Sequence, residues 1–441
     1  MKKLIILSLI TFLLISFSGI VAAYTPPPGV LSPNEVDFGG ETVMIYGANL
    51  ADGSWVWDEF NDILRERAAE AEELFNVTIQ TRPDVSNQLI QNRVLSGDSA
   101  YDIYVRPHRD TGYYTLVSND MLYPVGEILP QEYYESLHNI DYQTAEKLAF
   151  NDQYYTFGSR KGNVMESMFF VQYNRTLLEN ENLADPYDMY LAGEWDYEAF
   201  EELAREVTRD TNGDGEIDQW AMYDITAEAI IRFLGTNGVE IARRDEDGKY
   251  VFNLTSPAAI NALNTLDRWR NEEGILATSG NPNFEQGNVA FAFFAAINGW
   301  RHAKNNLDGE FGVVPLPMGP DVDSYQYTAF NYVPVIIPAN AENPEGLVAL
   351  YEFLFRQDDN RFDEHLDALI DLSVTHRDQL DVYLEGINNW RGEGDAFQYS
   401  GLWGLLLDSL NEVVAGERGA VSAMREIEPE AQAWLDDLFH Q

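Results

Sequence analysis

Short apolar segments alternate with longer amphipathic ones over the first third of the chain. Strands are predicted at 43–46, 77–80 and 102–105, and helices at 57–75 and 87–95. Strands that alternate with helices of this length are typical of βαβ units, in which neighbouring strands run parallel. The pattern therefore predicts a parallel sheet flanked by helices in this part of the chain.

A second set of elements begins near residue 153. Strands are predicted at 154–157 and 168–171, and Asn174 opens a helix. Asp196 is a favourable N-cap for a further helix, whose apolar face consists of residues 197, 200, 204 and 207. The sequence shows no repeat of solenoid or propeller period. We interpret the pattern as two α/β lobes, for which 441 residues are ample.

The N-terminus has the pattern of a secretory signal. Lys2 and Lys3 precede an uncharged run over 4–21, which ends in Ala22, Ala23 and a Pro-rich stretch. We expect cleavage after Ala23, so that residues 1–23 are a signal peptide and 24–35 a linker. The alternative is an uncleaved membrane anchor, because the run just reaches spanning length. No cysteine stands at the exit for a lipid anchor, and we expect a soluble periplasmic or extracellular protein.

Composition narrows the possible functions. The chain has no cysteine, which excludes disulfides and cysteine-based zinc sites. Its 28 basic and 73 acidic residues give a formal net charge of −45. Nucleic acid is therefore not an expected partner, because binding it requires a basic face. The acids are dispersed, which is typical of a halophile-like surface in a salty medium that screens self-repulsion.

Several short motifs follow one another over most of the chain. They are YNRTLL at 173–178, WDYEAF at 195–200, DTNGDG at 210–215, FEQGNVA at 284–290, INGW at 297–300, GVVPLP at 312–317 and NPE at 343–345. Their order and spacing resemble those of bacterial extracellular solute-binding proteins. The resemblance is to the family 1 class, which contains maltose-binding protein and other sugar-binding subunits of ABC importers.

The resemblance implies a type II periplasmic-binding-protein fold, in which a hinge joins two α/β lobes and the ligand lies between them. It places 36–152 plus 330–388 in the N-terminal lobe and 153–329 plus 389–441 in the C-terminal lobe. It also implies a monomeric receptor without enzymatic activity. Such a receptor binds a carbohydrate, here expected to be an oligosaccharide, and delivers it to the permease subunits of an ABC importer.

Aromatic residues are the first candidates for the sugar site, because a sugar ring has an apolar face that stacks on flat side chains. The resemblance places Trp300 and Trp403 at stacking positions. Trp55 and Trp57 follow the first predicted strand, at the end where open α/β sheets bind ligands. The alternative for each ring is packing in a core or a lid.

Basic residues are the second candidates, because they are scarce. Arg106 follows the third predicted strand, and Arg301 follows Trp300. A guanidinium group suits carboxylates and neighbouring hydroxyls. The alternative is ordinary ion pairing with surface acids. Since aromatic residues outnumber cations at these positions, we expect a neutral sugar in preference to a uronic one.

The segment from residue 210 to 218 has the spacing of a calcium-binding loop. The expected ligands are the side chains of Asp210, Asn212, Asp214 and Asp218 and the carbonyl of Glu216, with Gly215 at the turn. Ala221 stands where a full EF-hand loop has its bidentate Glu. Some sugar-binding family members have such a shortened loop and bind calcium. The alternative is an acidic turn, and the similar stretch at 245–248 is expected to be a hairpin turn.

Enzyme signatures are absent from the sequence: it contains no HExxH, no GxSxG, no P-loop and no dinucleotide fingerprint. A secreted carbohydrate-active hydrolase, which needs only a pair of carboxylates, is the alternative to a binding protein.

Overall fold

The computed structural model describes residues 24–47, 58–105, 112–158, 168–329, 332–356, 371, 373–390, 397 and 400–439, without the side chains of 58–63 and 294–298. Two larger β-sheets, each flanked by helices, organise the described chain. The predicted α/β fold with two lobes is confirmed. The predicted signal segment lies outside the described residues.

The first sheet has four strands in the order β11-β3-β1-β2. These are β1 (Thr42–Tyr46), β2 (Thr78–Arg82), β3 (Asp102–Val105) and β11 (Val335–Ile336). β1 pairs parallel with β2 and β3, as predicted, whereas β11 pairs antiparallel with β3. Every residue of the inner strand β3 is buried, while the edge strand β2 alternates between exposed and half-buried positions. The sheet is thus covered on both faces at its centre.

Helices connect these strands and continue to the first crossover between the lobes. They are α1 (Asp58–Leu74), α2 (Asn87–Ser96), α3 (Tyr113–Ser118), α4 (Gln131–Ser136) and α5 (Asn139–Lys147).

The second sheet has five strands in the order β10-β4-β9-β5-β8. These are β4 (Phe169–Asn174), β5 (Trp220–Tyr223), β8 (Leu276–Ala277), β9 (Val289–Ala295) and β10 (Phe311–Val314). β5 pairs parallel with β8 and β9, while β4 pairs antiparallel with β9 and β10. A separate hairpin joins β6 (Ala242–Arg244) to β7 (Tyr250–Phe252). Its turn confirms the prediction for 245–248, since the Asp245 N–H donates to the Lys249 carbonyl at 2.8 Å.

The remaining helices follow the first crossover. They are α6 (Arg175–Asn180), α7 (Pro186–Ala192), α8 (Tyr197–Val207), α9 (Ala227–Thr236), α10 (Pro257–Asn271), α11 (Ala296–Asn306), α12 (Pro344–Leu354), α13 (Arg377–Asn389), α14 (Trp403–Val414) and α15 (Ala420–Phe439). Asp196 caps α8 as predicted, accepting from the Ala199 N–H at 2.9 Å, and the predicted apolar face of α8 is buried.

Two β-bridges pair the ends of the segments that connect the two lobes. On the side of the first sheet, Phe157 forms a β-bridge with Val335; on the side of the second, Met168 forms one with Ala329. The residues between these bridges include 159–167 and 330–331, which lie outside the described residues. The bridges therefore bracket the point at which the chain passes from one lobe to the other in both directions.

The segment 24–35, expected as a linker, packs onto the first lobe. The Tyr24 ring lies edge-on to Phe353 of α12, with centroids 5.2 Å apart. Val30 and Leu31 also pack against the first-lobe core. Apolar side chains between the prolines explain the difference, because burying them offsets the entropy of ordering the segment.

Helix α13 lies against the second sheet, although the sequence-based division assigned residues up to 388 to the N-terminal lobe. The Gln379 side-chain amide donates to the Phe311 carbonyl of β10 at 2.8 Å, and Asp378 pairs with Arg175 at 2.5 Å. The apolar face of α13, which includes Val382 and Tyr383, is buried on that side. Asn139 of α5 in turn donates to the carbonyls of Ile387 and Trp390 at 3.2 and 2.8 Å, so α13 contacts elements on both sides of the first crossover, and the predicted division of the lobes stays a prediction.

Candidate functional site

The edges of the two sheets that meet at the crossovers form the candidate ligand site. The first sheet presents the carboxyl ends of β1, β2 and β3 there. The second presents the carboxyl ends of β5 and β9 beside the start of β4. Open α/β sheets bind ligands at such carboxyl ends. Trp55, Trp57 and Arg106, predicted for this site, lie outside the described residues.

On the first lobe, a buried polar cluster supports this edge. The rings of Tyr46 and Tyr104 are stacked with centroids 5.1 Å apart, and the Arg93 guanidinium lies 5.4 Å from the centroid of Tyr46. Arg93 holds Asp102 with two hydrogen bonds of 2.6 and 3.1 Å, and the Tyr104 hydroxyl donates to the same carboxylate at 2.7 Å. Burial raises the pKa of both tyrosines, so they stay protonated. The cluster fixes the Tyr46 ring at the last position of β1.

On the second lobe, Tyr223 occupies the equivalent position at the end of β5. Its half-buried hydroxyl accepts from the Phe284 N–H at 2.7 Å, and burial raises its pKa. The next residue, Asp224, is held by two hydrogen bonds of 2.8 and 3.0 Å from Arg270. The sequence interpretation did not select Tyr46 or Tyr223. An aromatic residue that ends a buried strand is the signal that could have identified both.

Trp300 does not face a ligand in this structure, which departs from the prediction of a stacking platform. Its side chain is 0% exposed and packs against Phe170 of β4 and Tyr383 of α13, with ring centroids 5.6 and 5.8 Å away. The reason is its place on α11, which starts directly after β9 and turns its inner face onto the sheet. Within the described residues, the indole N–H has no hydrogen-bond partner.

The side chains of Trp403 and Arg301 are partly exposed to solvent. Trp403 begins α14, is half-buried, and packs against the large core through one side. Arg301 is also half-buried and follows Trp300 on α11. Of the predicted cleft aromatics with described side chains, Trp403 is thus the one that retains accessible ring surface. Whether either residue contacts a ligand stays a prediction.

The predicted calcium loop is closed by its own hydrogen bonds. Asp210 accepts from the N–H groups of Gly213 and Gly215, both at 2.7 Å, and Asp218 accepts from the N–H and hydroxyl of Thr211, both at 2.8 Å. These hydrogen bonds hold the pKa of Asp210 and of Asp218 below the ordinary value, so both stay ionised. In the part of the chain that the structure describes, no group of three or more acidic or histidine side chains converges as metal ligands do. The oxygen atoms of the loop suit a hard cation, but the carboxylates of Asp210 and Asp218 already accept hydrogen bonds from within the loop.

Among the described helices, none has the length and apolar character needed to cross a membrane.

The chain matches the family model described as "Bacterial extracellular solute-binding protein" over residues 47–360. Comparison with curated protein sequences finds no match. Among solved structures, the fold is similar to an ABC substrate-binding protein from Listeria monocytogenes in complex with cycloalternan, at 14% identity and a TM-score of 0.60, covering 90% of this chain and 99% of that one.

Two further structures show the same fold. The cyclic alpha-maltosyl-1,6-maltose binding protein from Arthrobacter globiformis is 13% identical, with a TM-score of 0.61 and coverage of 90% and 100%. UgpB from Mycobacterium tuberculosis, in complex with glycerophosphocholine, is 17% identical, with a TM-score of 0.59 and coverage of 90% and 98%. Identities this low establish the shared fold. With two sheets joined by paired crossovers and the family match over residues 47–360, the chain belongs to the bacterial extracellular solute-binding protein family.

Proposed function

We propose that the protein is an exported, monomeric receptor that binds an oligosaccharide between its lobes and delivers it to the permease of an ABC importer. The family match over residues 47–360 is the observation that carries this proposal. It favours a periplasmic or extracellular location. The hydrolase considered from the sequence gains no support, because the family is one of solute-binding proteins.

The choice of a carbohydrate has two supports. The similar proteins from Listeria and Arthrobacter are described with cyclic oligosaccharide ligands. In this chain, Tyr223 ends a strand at the edge of the second sheet, and both Tyr223 and Trp403 are half-buried, so part of each side chain stays accessible. Aromatic faces suit the C–H surfaces of sugar rings. Because the structure of UgpB contains glycerophosphocholine, any test of the ligand should include a phosphodiester for comparison.

The mechanism we propose is closure of the lobes by rotation about the paired crossovers. On each lobe, a backbone hydrogen bond holds the two crossover segments together: the Phe157 N–H donates to the Val335 carbonyl at 3.2 Å, and the Phe169 N–H donates to the Thr328 carbonyl at 2.9 Å. A ligand that contacts both lobes favours the closed state by its differential affinity for that state.

The experiment is calorimetry of the mature protein with linear and cyclic maltooligosaccharides, mannooligosaccharides, uronic oligosaccharides and glycerophosphocholine. We expect saturable binding of one oligosaccharide per chain, without release of reducing ends. Small-angle scattering with that sugar should show a smaller radius of gyration. Turnover of the sugar would establish a hydrolase. Tight binding of glycerophosphocholine alone would refute the carbohydrate proposal, and an unchanged radius of gyration at saturation would refute closure.

We also propose that the loop at 210–218 binds one calcium ion in a structural role. Its ligands would be the side chains of Asp210, Asn212, Asp214 and Asp218 and the carbonyl of Glu216. The support is the spacing of oxygen donors and the ionised state of Asp210 and Asp218. Bound calcium would supply a positive charge among these carboxylates and join the end of α8 to the start of β5.

A further inference from the structure

The turn that leads into α14 contains Gly401 and ends at Trp403, the first residue of the helix. Backbone hydrogen bonds hold this turn: the Ser400 N–H donates to the Phe397 carbonyl at 2.9 Å, and the Trp403 N–H donates to the Ser400 carbonyl at 3.1 Å. The position of the Trp403 ring therefore depends on the position of the turn.

The close approach of Trp434 requires a glycine at position 401. Gly401 does not have a positive φ, so its backbone conformation is open to other residues. A β-carbon built on Gly401, however, would lie 2.3 Å from Nε1 and 2.8 Å from Cε2 of the Trp434 indole. Both distances are much shorter than the separation of about 3.5–4.0 Å at which non-bonded atoms pack best. The indole of Trp434 thus packs directly against the backbone of the turn.

Aromatic contacts hold the Trp434 indole in this position. It lies on α15, is half-buried, and meets the Phe397 ring edge-on with centroids 6.4 Å apart. Phe397 is itself buried; its ring is stacked on Tyr114 of α3 at 5.1 Å and lies edge-on to Tyr250 at 5.4 Å. Because Phe397 also begins the hydrogen-bonded turn, it fixes both the turn and the ring that packs on the turn.

A methyl group at position 401 therefore has no room beside Trp434. Leu402 is 1% exposed, so the turn cannot move inward without displacing closely packed core side chains. Overpacking of this kind forces side chains off their preferred rotamers and shifts the backbone. The first turn of α14 takes up the shift, because Trp403 is half-buried and has space on its solvent side.

We propose that Gly401 and Trp434 are positioning residues, which set the orientation of the Trp403 ring for stacking on a sugar. This inference rests on the proposed function, in which Trp403 contacts the oligosaccharide. The two residues act through Trp403 and need no contact with the sugar. Since a sugar stacks on the face of an aromatic ring, a change in the tilt of Trp403 lowers the affinity although the ring is still present.

The first test needs no ligand. The mature protein is labelled with 5-fluorotryptophan, and Trp403→Phe identifies the fluorine resonance of Trp403. We expect Gly401→Ala to shift this resonance, and Trp434→Leu, which removes the contact from the other side, to shift it as well. Gly404→Ala is the matched control and should shift it less, because a β-carbon built on Gly404 meets nothing within 4 Å.

The second test is calorimetry with the oligosaccharide that binds saturably in the screen described above. Gly401→Ala should bind it about three- to tenfold more weakly than the wild type, whereas Gly404→Ala should bind it normally. In a Trp403→Ala background, Gly401→Ala should cause no further loss, because it acts through that ring. In a Trp434→Leu background its effect should also shrink, because the methyl group then has room.

The proposal is overturned if Gly401→Ala and Trp434→Leu both leave the fluorine resonance of Trp403 unchanged. It is also overturned if Gly401→Ala weakens binding equally with and without Trp403, because the effect then does not pass through the ring. Failure of every oligosaccharide to bind would instead refute the proposed function. In that case the fluorine resonance alone decides whether Gly401 and Trp434 orient Trp403, so the two proposals fail separately.

Discussion

Glu352 is a buried acid on α12, 6% exposed, that lies beside the first crossover. The Tyr133 hydroxyl of α4 donates to its carboxylate at 2.5 Å, and the Gly158 N–H donates to the same hydroxyl at 2.7 Å. Asp141 of α5 also faces the carboxylate, and Tyr24 lies close enough to interact with it. We predict that replacing Glu352 by Gln changes how the stability of the protein depends on pH.

The magnitude follows from the pKa of Glu352. Burial raises that pKa from an ordinary 4.5 to about 7; the hydrogen bond from Tyr133 opposes the rise and the charge of Asp141 adds to it. Between these values the folded chain keeps a proton that the unfolded chain has lost. The free energy of unfolding therefore falls as pH rises through this window. The loss becomes complete above pH 7 and amounts to about 3 kcal/mol, because a pKa difference of one corresponds to about 1.36 kcal/mol.

The assay is urea denaturation at constant ionic strength, at pH 4.5 and at pH 8.5, for the wild type and Glu352→Gln. The quantity to compare is the difference between the two proteins at each pH, which cancels the titration of the other acids. We expect this difference to favour Glu352→Gln by about 3 kcal/mol more at the higher pH. Glu345→Gln, an exposed acid on the same helix, is the matched control and should show little change. If the difference between wild type and Glu352→Gln is the same at both pH values, the reasoning about burial is wrong.

Three further predictions test the metal loop and the tryptophans. A calcium chelator should lower the melting temperature of the wild type but not of Asp214→Ala, since an ion that binds the native state alone stabilises that state. The control Asp247→Ala, which removes an acid from the hairpin turn, should respond to the chelator as the wild type does. Equal melting temperatures of the wild type with chelator and with excess calcium would exclude a metal site. Trp300→Ala should lower the free energy of unfolding by about 3–5 kcal/mol, because it leaves a cavity beside Phe170, and unchanged urea denaturation would contradict the buried position. Trp403→Ala should weaken oligosaccharide binding in calorimetry by about 1–3 kcal/mol whereas Trp403→Phe keeps most of the affinity, and equal affinity of all three proteins would remove Trp403 from the site.

Local patterns predicted the elements well where burial and capping agree. Apolar runs predict β1 and β3, and Asp196 as the N-cap predicts the start of α8, because these signals act within a few residues. Strand β11 is different. It has two residues, and its apolar run differs little from other short runs, so only its pairing with β3 identifies it as a strand. Pairing over such a separation leaves no local signal.

The candidate site was harder to predict than the fold. Trp300 was placed by its motif, but the direction of its ring depends on which face of α11 packs against β4. Tyr46 lies in a predicted strand and Tyr223 in an observed one. Only the arrangement of the two sheets shows that both of these strands end at the candidate site.

The pairing of β11 with β3 also constrains when the first lobe can fold. Its sheet remains incomplete until residues 335–336 are available, after the whole of the second sheet, up to residue 314, has been made. Until then, the backbone edge of β3 stays unpaired and open to other chains. Contacts between residues so far apart in sequence slow folding, because the loop between them must be ordered first. If the chain is exported as proposed, this pairing can form only late in translocation, and a chaperone that covers the edge of β3 would act before then.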